Sequence, residues 1–432
     1  MSGEKNINSY QTEHLFLLIG KNTLPNYVAA KLLIKRDTKV YFVYSEKSGR
    51  STGTEDYKKR LVEKLKAQLG KDFFTPIDVA LINPSDSTCI RSAIENQFRN
   101  IPNNATIGLN YTGGTKAMSV HAYRAIEEFG KEKKCQLRFS YLDPRELKLI
   151  FDDNSDSVEL NKPDSKPFEN SRISLGDLMN LHDLVYLKTE SGSTVKPKES
   201  PRYQQLYEAI VAFQFNKRKL GAWLDWRKTN RGKLENPDND SEINIPDSLS
   251  DLATALNKTS EQVCQSNWVE DGKLKFVKVG EHRAKVIGNF IFSFWLESYV
   301  LSKIIEVKDS CRLNSKSFGR GLSVVRSDAI DKTEPFFEVD VFAIRGYQLF
   351  AIACTVDSTK KMCKHKLFEI VHRARQLGGD EARIGLVCMA SPNVVGEIEN
   401  ELEEDHVKVF GKSSLQMWGS DLTELENWFK GE

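Results

Sequence analysis

The sequence predicts an α/β protein whose N-terminal part is a doubly wound parallel sheet, and two observations carry this prediction. Short strands with apolar residues at nearly every position, such as His14–Gly20 and Lys39–Ser45, alternate with segments of helical spacing. Strands of this kind are buried on both faces, which is typical of a parallel sheet covered by helices on both sides. Such sheets bind ligands beyond the carboxyl ends of their strands, so a site is expected in those loops.

The same alternation continues through the first 155 residues. We predict strands at 14–20, 39–45, 76–82, 105–111, 136–142 and 146–151, and helices at 25–35, 54–69, 87–98 and 116–129. This order of elements is that of a Rossmann-like domain.

Two further units are predicted after this domain, so the boundaries become 1–155, 156–286 and 287–432. Residues 156–200 have linker composition, and the section after them is helical with a hairpin at 268–279. The last unit is a smaller α/β domain with a mixed sheet. Its predicted elements are helices at 287–305, 360–377 and 393–404 and strands at 322–327, 336–345, 348–356 and 382–390.

Composition limits the function classes. A net charge of +2 over 432 residues excludes a strongly basic surface, so contact with nucleic acid would need a local patch. We expect no membrane span and no signal peptide, because no apolar run reaches about 18 residues and the first residues are polar. The seven cysteines form no CxxC pair, which argues against a zinc site. The chain is therefore expected in the cytoplasm with reduced thiols.

The motif Asn110-Tyr-Thr-Gly-Gly-Thr-Lys116 is the sharpest feature of the first domain. Glycines let the backbone approach an anion, while a helix N-terminus and Lys116 supply positive charge. The spacing matches neither a Walker loop nor GxGxxG, so nucleotide hydrolysis and dinucleotide-dependent oxidoreduction are disfavoured. The loop Gly20–Asn26 and Ser45 follow the first two strands and are expected to converge on the same crevice.

These loops resemble those of the CARF (CRISPR-associated Rossmann fold) domain over about residues 12–155. In that family the domain dimerises, and the paired crevices bind a cyclic oligoadenylate, most often cyclic tetra-adenylate. The resemblance implies a homodimer with a ligand site formed by Gly20, Lys21, Asn22, Asn26, Ser45, Thr112, Gly113, Gly114, Thr115 and Lys116.

The segments Phe337–Phe342 and Leu349–Thr355 resemble the core of PD-(D/E)xK nucleases, as do the helices before and after them. In that family a strand Asp and a Glu-x-Lys on the next strand bind Mg²⁺ or Mn²⁺. The resemblance implies Asp340 as the metal-binding acid, with Glu338 beside it and Glu297 assisting from the upstream helix. Hard oxygen ligands are what Mg²⁺ requires.

The sequence departs from that pattern on the second strand. The family's Glu falls at Ala353 and its Lys at Thr355, with Cys354 between them as a second candidate metal ligand beside Asp340. Three interpretations stay open: an engineered Glu-to-Ala substitution, a site in which another lysine has replaced the motif Lys, or a domain that binds without cutting. The candidate lysines on the following helix are Lys360, Lys361, Lys364 and Lys366.

The middle section offers a further interpretation. Trp223–Lys233 is basic with interleaved aromatics, which suits either contact with unpaired nucleic acid or the start of a helix that packs on a linker. The section also loosely resembles a winged-helix module. The function predicted from all segments is a cyclic-oligoadenylate-activated, metal-dependent nuclease that cleaves RNA or DNA in type III CRISPR defence. The alternative is a ligand-responsive nucleic-acid-binding regulator without nuclease activity.

Overall fold

The computed structural model describes residues 7–47, 52–152, 156–238, 240–263, 266–402 and 406–431. Its N-terminal sheet has the order β3-β2-β1-β4-β5-β6-β7, in which β1 to β5 are parallel and the last two strands antiparallel. The strands are β1 Thr12–Leu18, β2 Ile34–Ser45, β3 Phe74–Leu81, β4 Thr106–Asn110, β5 Gln136–Asp143, β6 Lys148–Phe151 and β7 Ser157–Glu159. The predicted Rossmann-like fold is confirmed.

Helices cover both faces of this sheet. They are α1 Leu24–Leu33, α2 Glu55–Leu69, α3 Ser87–Phe98 and α4 Lys116–Glu132. The first pair packs on one face in a cluster with Leu15 and Leu17, and the second pair packs on the other face with Phe16 and Leu18. The alternation of these β1 side chains between two apolar clusters explains why the strand is hydrophobic at nearly every position.

The segment after the first sheet connects the two α/β units. It forms α5 Lys166–Ser171, α6 Leu175–Leu181 and β8 Leu184–Tyr186. Helix α6 packs against α2, and β8 pairs with the C-terminal sheet. One hydrophobic cluster runs from α1 through α6 to the C-terminal sheet. Residues 184–186, which composition assigned to a linker, therefore belong to the C-terminal sheet.

The middle section is a small helical unit with a three-stranded sheet of order β10-β11-β9. Its elements are α7 Gln204–Phe215, α8 Lys217–Thr229, α9 Arg231–Glu235, β9 Glu242–Asn244, α10 Ser250–Val263, β10 Val269–Glu270, β11 Lys273–Lys275 and α11 Phe276–Val279. Trp223 and Trp226 are buried and stack with their ring centroids 5.6 Å apart, and the Trp226 indole donates to the Asn244 carbonyl. Both rings thus pack in the hydrophobic core of the middle section and do not form an exposed stacking surface.

The C-terminal unit is built on a mixed six-stranded sheet of order β16-β15-β14-β13-β12-β8. A long helical path leads into it through α12 Glu281–Asn289, a π-helical segment Phe290–Phe294 and α13 Trp295–Val307. The remaining elements are β12 Phe318–Arg326, β13 Phe337–Arg345, β14 Gln348–Cys354, α14 Lys360–Gly378, β15 Arg383–Val387, α15 Pro392–Leu402, β16 Val407–Phe410, α16 Lys412–Met417 and α17 Thr423–Lys430.

This sheet separates two hydrophobic clusters. Helix α14 covers one face and joins the cluster shared with the N-terminal unit, whereas α13 covers the other face together with the middle section. Across the described ranges, no helix is both long and apolar enough to cross a membrane.

Candidate functional site

The glycine loops after β1 and β4 meet at the point where the strand order of the first sheet reverses. A Cβ added to Gly20 would lie 3.1 Å from the Gly114 amide nitrogen, and one added to Gly113 would overlap the Leu18 carbonyl oxygen. Gly114 has φ of +78°, a conformation that side chains disfavour. Only glycines allow the two loops to approach this closely, and a crevice at this place is the expected ligand site of the fold.

The start of α4 gives this crevice its positive character. Thr115 caps the helix by accepting the Met118 N–H at 3.2 Å, and Lys116 is its first residue. Both Thr115 and Lys116 are exposed, as is Lys21 on the neighbouring loop. Free N–H groups of a helix start together with two lysines form a surface suited to phosphate.

Several residues predicted as ligand contacts lie behind the loops instead. Asn26 is fully buried, and its amide donates to the Leu18 carbonyl at 3.0 Å. Ser45 is buried with its N–H and hydroxyl directed at Thr54. The polar groups of Asn26 and Ser45 thus hold the strand ends in place, and direct contact of these residues with a ligand stays a prediction. Thr112 is half-buried and accepts the Leu142 N–H at 2.7 Å.

Asn22 is directed toward the C-terminal unit. Its amide lies against Gly379, at the end of α14, and next to the buried carboxyl of Glu381. Burial raises the pKa of Glu381 to about 7. The loop after β1 thus contacts both the ligand crevice, through Gly20, and the C-terminal unit, through Asn22.

The second site is a cavity of about 750 Å³ in the C-terminal unit. Glu338 and Asp340 enter it from β13, Glu297 from α13 and Lys366 from α14. Residues distant in sequence thus meet here because α13 and α14 both pack against β13. The structure brings Glu297, Glu338, Asp340 and Lys366 together, as the sequence predicted for a site on this domain.

Hydrogen bonds and an ion pair hold the acidic groups. The Asp340 Oδ2 atom accepts the Cys354 N–H at 2.8 Å, and the Glu338 Oε1 atom accepts the Ser323 hydroxyl at 2.8 Å. The Arg320 guanidinium lies 3.7 Å from the Glu297 carboxylate. Each carboxyl group therefore has a defined neighbour from another element.

The electrostatics of the cavity are dominated by crowded carboxyl groups. Burial, reinforced by the nearby Asp340 carboxylate, raises the pKa of Glu297 from 4.5 to about 8, although Arg320 and Lys366 oppose the rise. Burial likewise raises the pKa of Asp340, against Lys366 and the Cys354 N–H. A cavity that keeps carboxyl groups this close and this dry favours a bound cation.

The two motif positions on the second strand, Ala353 and Thr355, have different surroundings in the structure. Ala353 is 3% exposed and packs in the hydrophobic cluster beneath the sheet, away from the cavity. The pairs between β13 and β14 end at Val341–Ile352, and beyond them the Cys354 backbone N–H donates to the Asp340 Oδ2 atom. The assignment of the family's Glu to position 353 stays a prediction.

Cys354, the residue after Ala353, lines the cavity. Burial raises the pKa of its thiol well above the usual range, so the sulfur stays protonated. A protonated thiol is a poor ligand for a hard cation, and the prediction of Cys354 as an Mg²⁺ ligand is not supported. Thr355 also lines the cavity, and its hydroxyl accepts the Asp357 N–H at 3.2 Å.

The candidate lysines of α14 differ in whether they face the cavity or the neighbouring helix α15. Lys366 is half-buried in the cavity wall and acts on the pKa of both Glu297 and Asp340. Lys360 instead pairs with Glu397 and Glu401 on α15, and Lys364 shares Glu401 with it. Of these lysines, the one that faces the acidic groups is Lys366.

Sequence reasoning missed the cationic wall of the cavity. Basic side chains reach it from segments far apart in the chain, namely Lys196, Lys198, Arg202, Lys285 and Arg320. Lys198 and Arg320 exchange backbone hydrogen bonds at 2.9 and 3.0 Å, which attaches the segment 195–203 to β12. No local sequence pattern marks Lys198 and Arg320, because they become neighbours only through this backbone pairing.

No protein-family model and no curated protein sequence matches the chain. Two solved structures are similar over nearly all of both chains. Protein VC1899 from Vibrio cholerae is 17% identical, with 96% of this chain and 98% of that chain covered and a TM-score of 0.65. Can2 from Sulfobacillus thermosulfidooxidans, determined in complex with cyclic tetra-adenylate, is 13% identical, with 98% and 100% covered and a TM-score of 0.64. At these identities the likeness shows a shared fold.

The raised pKa of Glu297 predicts a pH-dependent gain of stability for Glu297→Gln. In the unfolded chain Glu297 ionises near pH 4.5, whereas the folded chain keeps the proton up to about pH 8. Between these values a rise in pH removes stability, because the folded state holds a proton that the unfolded state has lost. In EDTA, thermal unfolding should show the variant gaining on the parent chain by a few degrees from pH 5 to pH 8.5. A constant difference over this range would contradict the assignment.

Proposed function

We propose that the chain is a metal-dependent nuclease of type III CRISPR defence that is activated by cyclic tetra-adenylate. The observation that carries the proposal is the cavity in which Glu297, Glu338 and Asp340 lie beside Lys366 within a wall of cations. A phosphodiester supplies negative oxygens for such a wall, and carboxylates hold the metal beside the phosphate in metal-dependent hydrolysis. The shared fold with a protein determined in complex with cyclic tetra-adenylate supports the activator.

Asp340 and Glu297 are the residues that would hold Mg²⁺ or Mn²⁺. Mg²⁺ is usually held by one or two carboxylates, with water and a substrate phosphate completing its shell. The described residues contain no cluster of three or more ligating side chains, and this two-carboxylate arrangement does not need one. The fit is supported by the raised pKa of Glu297, which has two causes, burial and the nearby Asp340 carboxylate. A cation bound between the two groups would offset both effects. Bound there, the metal would polarise the phosphoryl group and generate the attacking hydroxide.

The protein's own groups would position the substrate. Arg320 and Lys198 are fixed to one another through the backbone and offer donors to phosphate oxygens. Lys366 has the position to orient a water next to Asp340 and to stabilise charge that develops on the phosphate. Lys366 on α14 would thus take the role of the motif Lys, which in the nuclease family lies on the second strand.

The N-terminal crevice would bind the activator. Lys21, Lys116 and the N–H groups at the start of α4 are the donors that a ring of phosphates needs. A cyclic tetra-adenylate has four phosphates with two-fold symmetry, so two copies of the chain would each supply one crevice to a homodimer.

The loop after β1 gives the activator a direct route to the cavity. Gly20 borders the crevice, while Asn22 lies against Gly379 at the end of the helix that carries Lys366. Ligand binding that shifts this loop would act on α14, so the acidic groups and Lys366 would be aligned only with ligand present. A ligand achieves such a shift only if it prefers the aligned state.

Cleavage in the presence of divalent metal tests the proposal. Single-stranded RNA, single-stranded DNA and duplex DNA are incubated with Mn²⁺ or Mg²⁺, with and without cyclic tetra-adenylate. We expect ligand-dependent cleavage that EDTA stops and that Asp340→Asn lowers more than about 100-fold, because a metal-binding carboxylate is lost. Asp309→Asn, at a site 90% exposed, is the matched control. Chelator-insensitive duplex binding without cleavage would instead establish the regulator.

Substitution of two lysines on the same helix tests the replaced motif residue. We expect Lys366→Met to lower kcat about 100-fold or more, since the charge beside Asp340 is removed. Lys364→Met should stay within about twofold of the parent rate, because Lys364 pairs with Glu401 at the surface. Equal rates for the two variants would rule out a catalytic role for Lys366.

Calorimetric titration with cyclic tetra-adenylate tests the crevice. Lys116→Ala should weaken binding about 10- to 150-fold, as expected for the loss of a hydrogen bond to a charged group. Lys71→Ala removes an exposed lysine shortly before the amino end of β3, whereas the crevice lies at the carboxyl ends of the strands. This variant should leave the affinity unchanged. Unchanged affinity for Lys116→Ala would remove this site assignment.

A further inference from the structure

Phe294 is an exposed aromatic side chain at the wall of the charged cavity. It is 44% exposed, and it lies at the end of the π-helical segment that connects α12 to α13. Glu297 follows three residues later, which places both side chains on the same face of the helix. Short π-helical segments are frequent at functional sites, where they redirect side chains. The exposed Phe294 ring and the Glu297 carboxyl group thus line the same cavity.

The groups around Phe294 combine an apolar surface with cations. Val286, 40% exposed, lines the cavity about two helical turns before Phe294, and Lys285 next to it in the chain lines the cavity too. The segment 195–203 brings further positive charge and is held in place by its pairing with Arg320. Tyr203, at the end of that segment, contacts Phe290 edge-on at 4.9 Å between ring centroids. An apolar ring among fixed cations complements a molecule with flat rings and a phosphate backbone.

We propose that Phe294 stacks on a base adjoining the scissile phosphate and thereby makes the chain selective for unpaired nucleic acid. This inference rests on the proposed nuclease function and specifies its substrate class. Proteins hold unpaired strands by combining a cationic groove for the backbone with aromatic rings on which bases stack. In a duplex both faces of each base are covered, so a base would first have to leave the helix.

Fluorescence of 2-aminopurine measures this stacking without cleavage. Single-stranded oligonucleotides that carry 2-aminopurine are titrated with the full chain in EDTA, with cyclic tetra-adenylate present. We expect quenching on binding, which Phe294→Leu removes while weakening affinity about tenfold. Phe294→Trp should retain both, because it keeps a stacking face. Phe368→Leu is the matched control, since Phe368 is 55% exposed on α14 and lies outside the cavity lining.

Two arms separate this inference from the nuclease proposal. Duplex DNA should bind the parent chain and Phe294→Leu with equal affinity, because it offers no base face to Phe294. If quenching depends on Phe294 but no substrate is cleaved in Mn²⁺, the stacking inference stands and the nuclease proposal fails. If ligand-activated cleavage occurs and Phe294→Leu keeps the quenching and the preference for single strands, the stacking inference is overturned alone. Absence of any single-strand binding by the parent chain would also overturn it.

Discussion

The C-terminal site depends on the burial of carboxyl groups that the fold holds away from water. Burial, reinforced by the Asp340 carboxylate, disfavours the charge on Glu297, and Arg320 and Lys366 limit that cost. Burial also disfavours the charge on Asp340, where Lys366 opposes it. These groups come from α13, β13, β12 and α14, so the arrangement requires the whole C-terminal sheet with a helix on each face. Buried carboxyl groups with raised pKa values are typical of functional sites.

The same packing connects that cavity to the N-terminal crevice. A continuous apolar cluster extends from α1 through α6 to α14, and the Asn22 contact with Gly379 lies at its edge. A well-packed interior transmits displacement poorly as gradual deformation, so the proposed coupling between the two sites would take the form of alternative packed states. In the structure the direct contact runs through the loop after β1, and the middle section packs on the far face of the C-terminal sheet.

The prediction of the fold succeeded where residues signal their structure locally. The parallel strands of the first domain, the start of α4 at Lys116 and the α14 segment all follow from hydrophobic spacing, caps and glycines within a few residues. The basic aromatic segment from Trp223 failed as evidence for nucleic-acid contact. Its composition is the same whether the rings face solvent or a core, and the burial of Trp223 and Trp226 depends on distant neighbours.

The sequence alone predicted the Rossmann-like sheet and the glycine loops that meet beside β1 and β4, because periodicity and motif spacing are contiguous properties. Its resemblance to a nuclease core singled out Asp340. Three features required the folded molecule: Cys354 rather than Ala353 at the cavity, Lys366 among the lysines of α14, and the cationic wall from 195–203. These features depend on where the pairing of two strands ends, on how α14 packs against β13, and on which remote segments pair. Such contacts are set by the packing of the entire unit, and neighbours in the sequence carry no record of them.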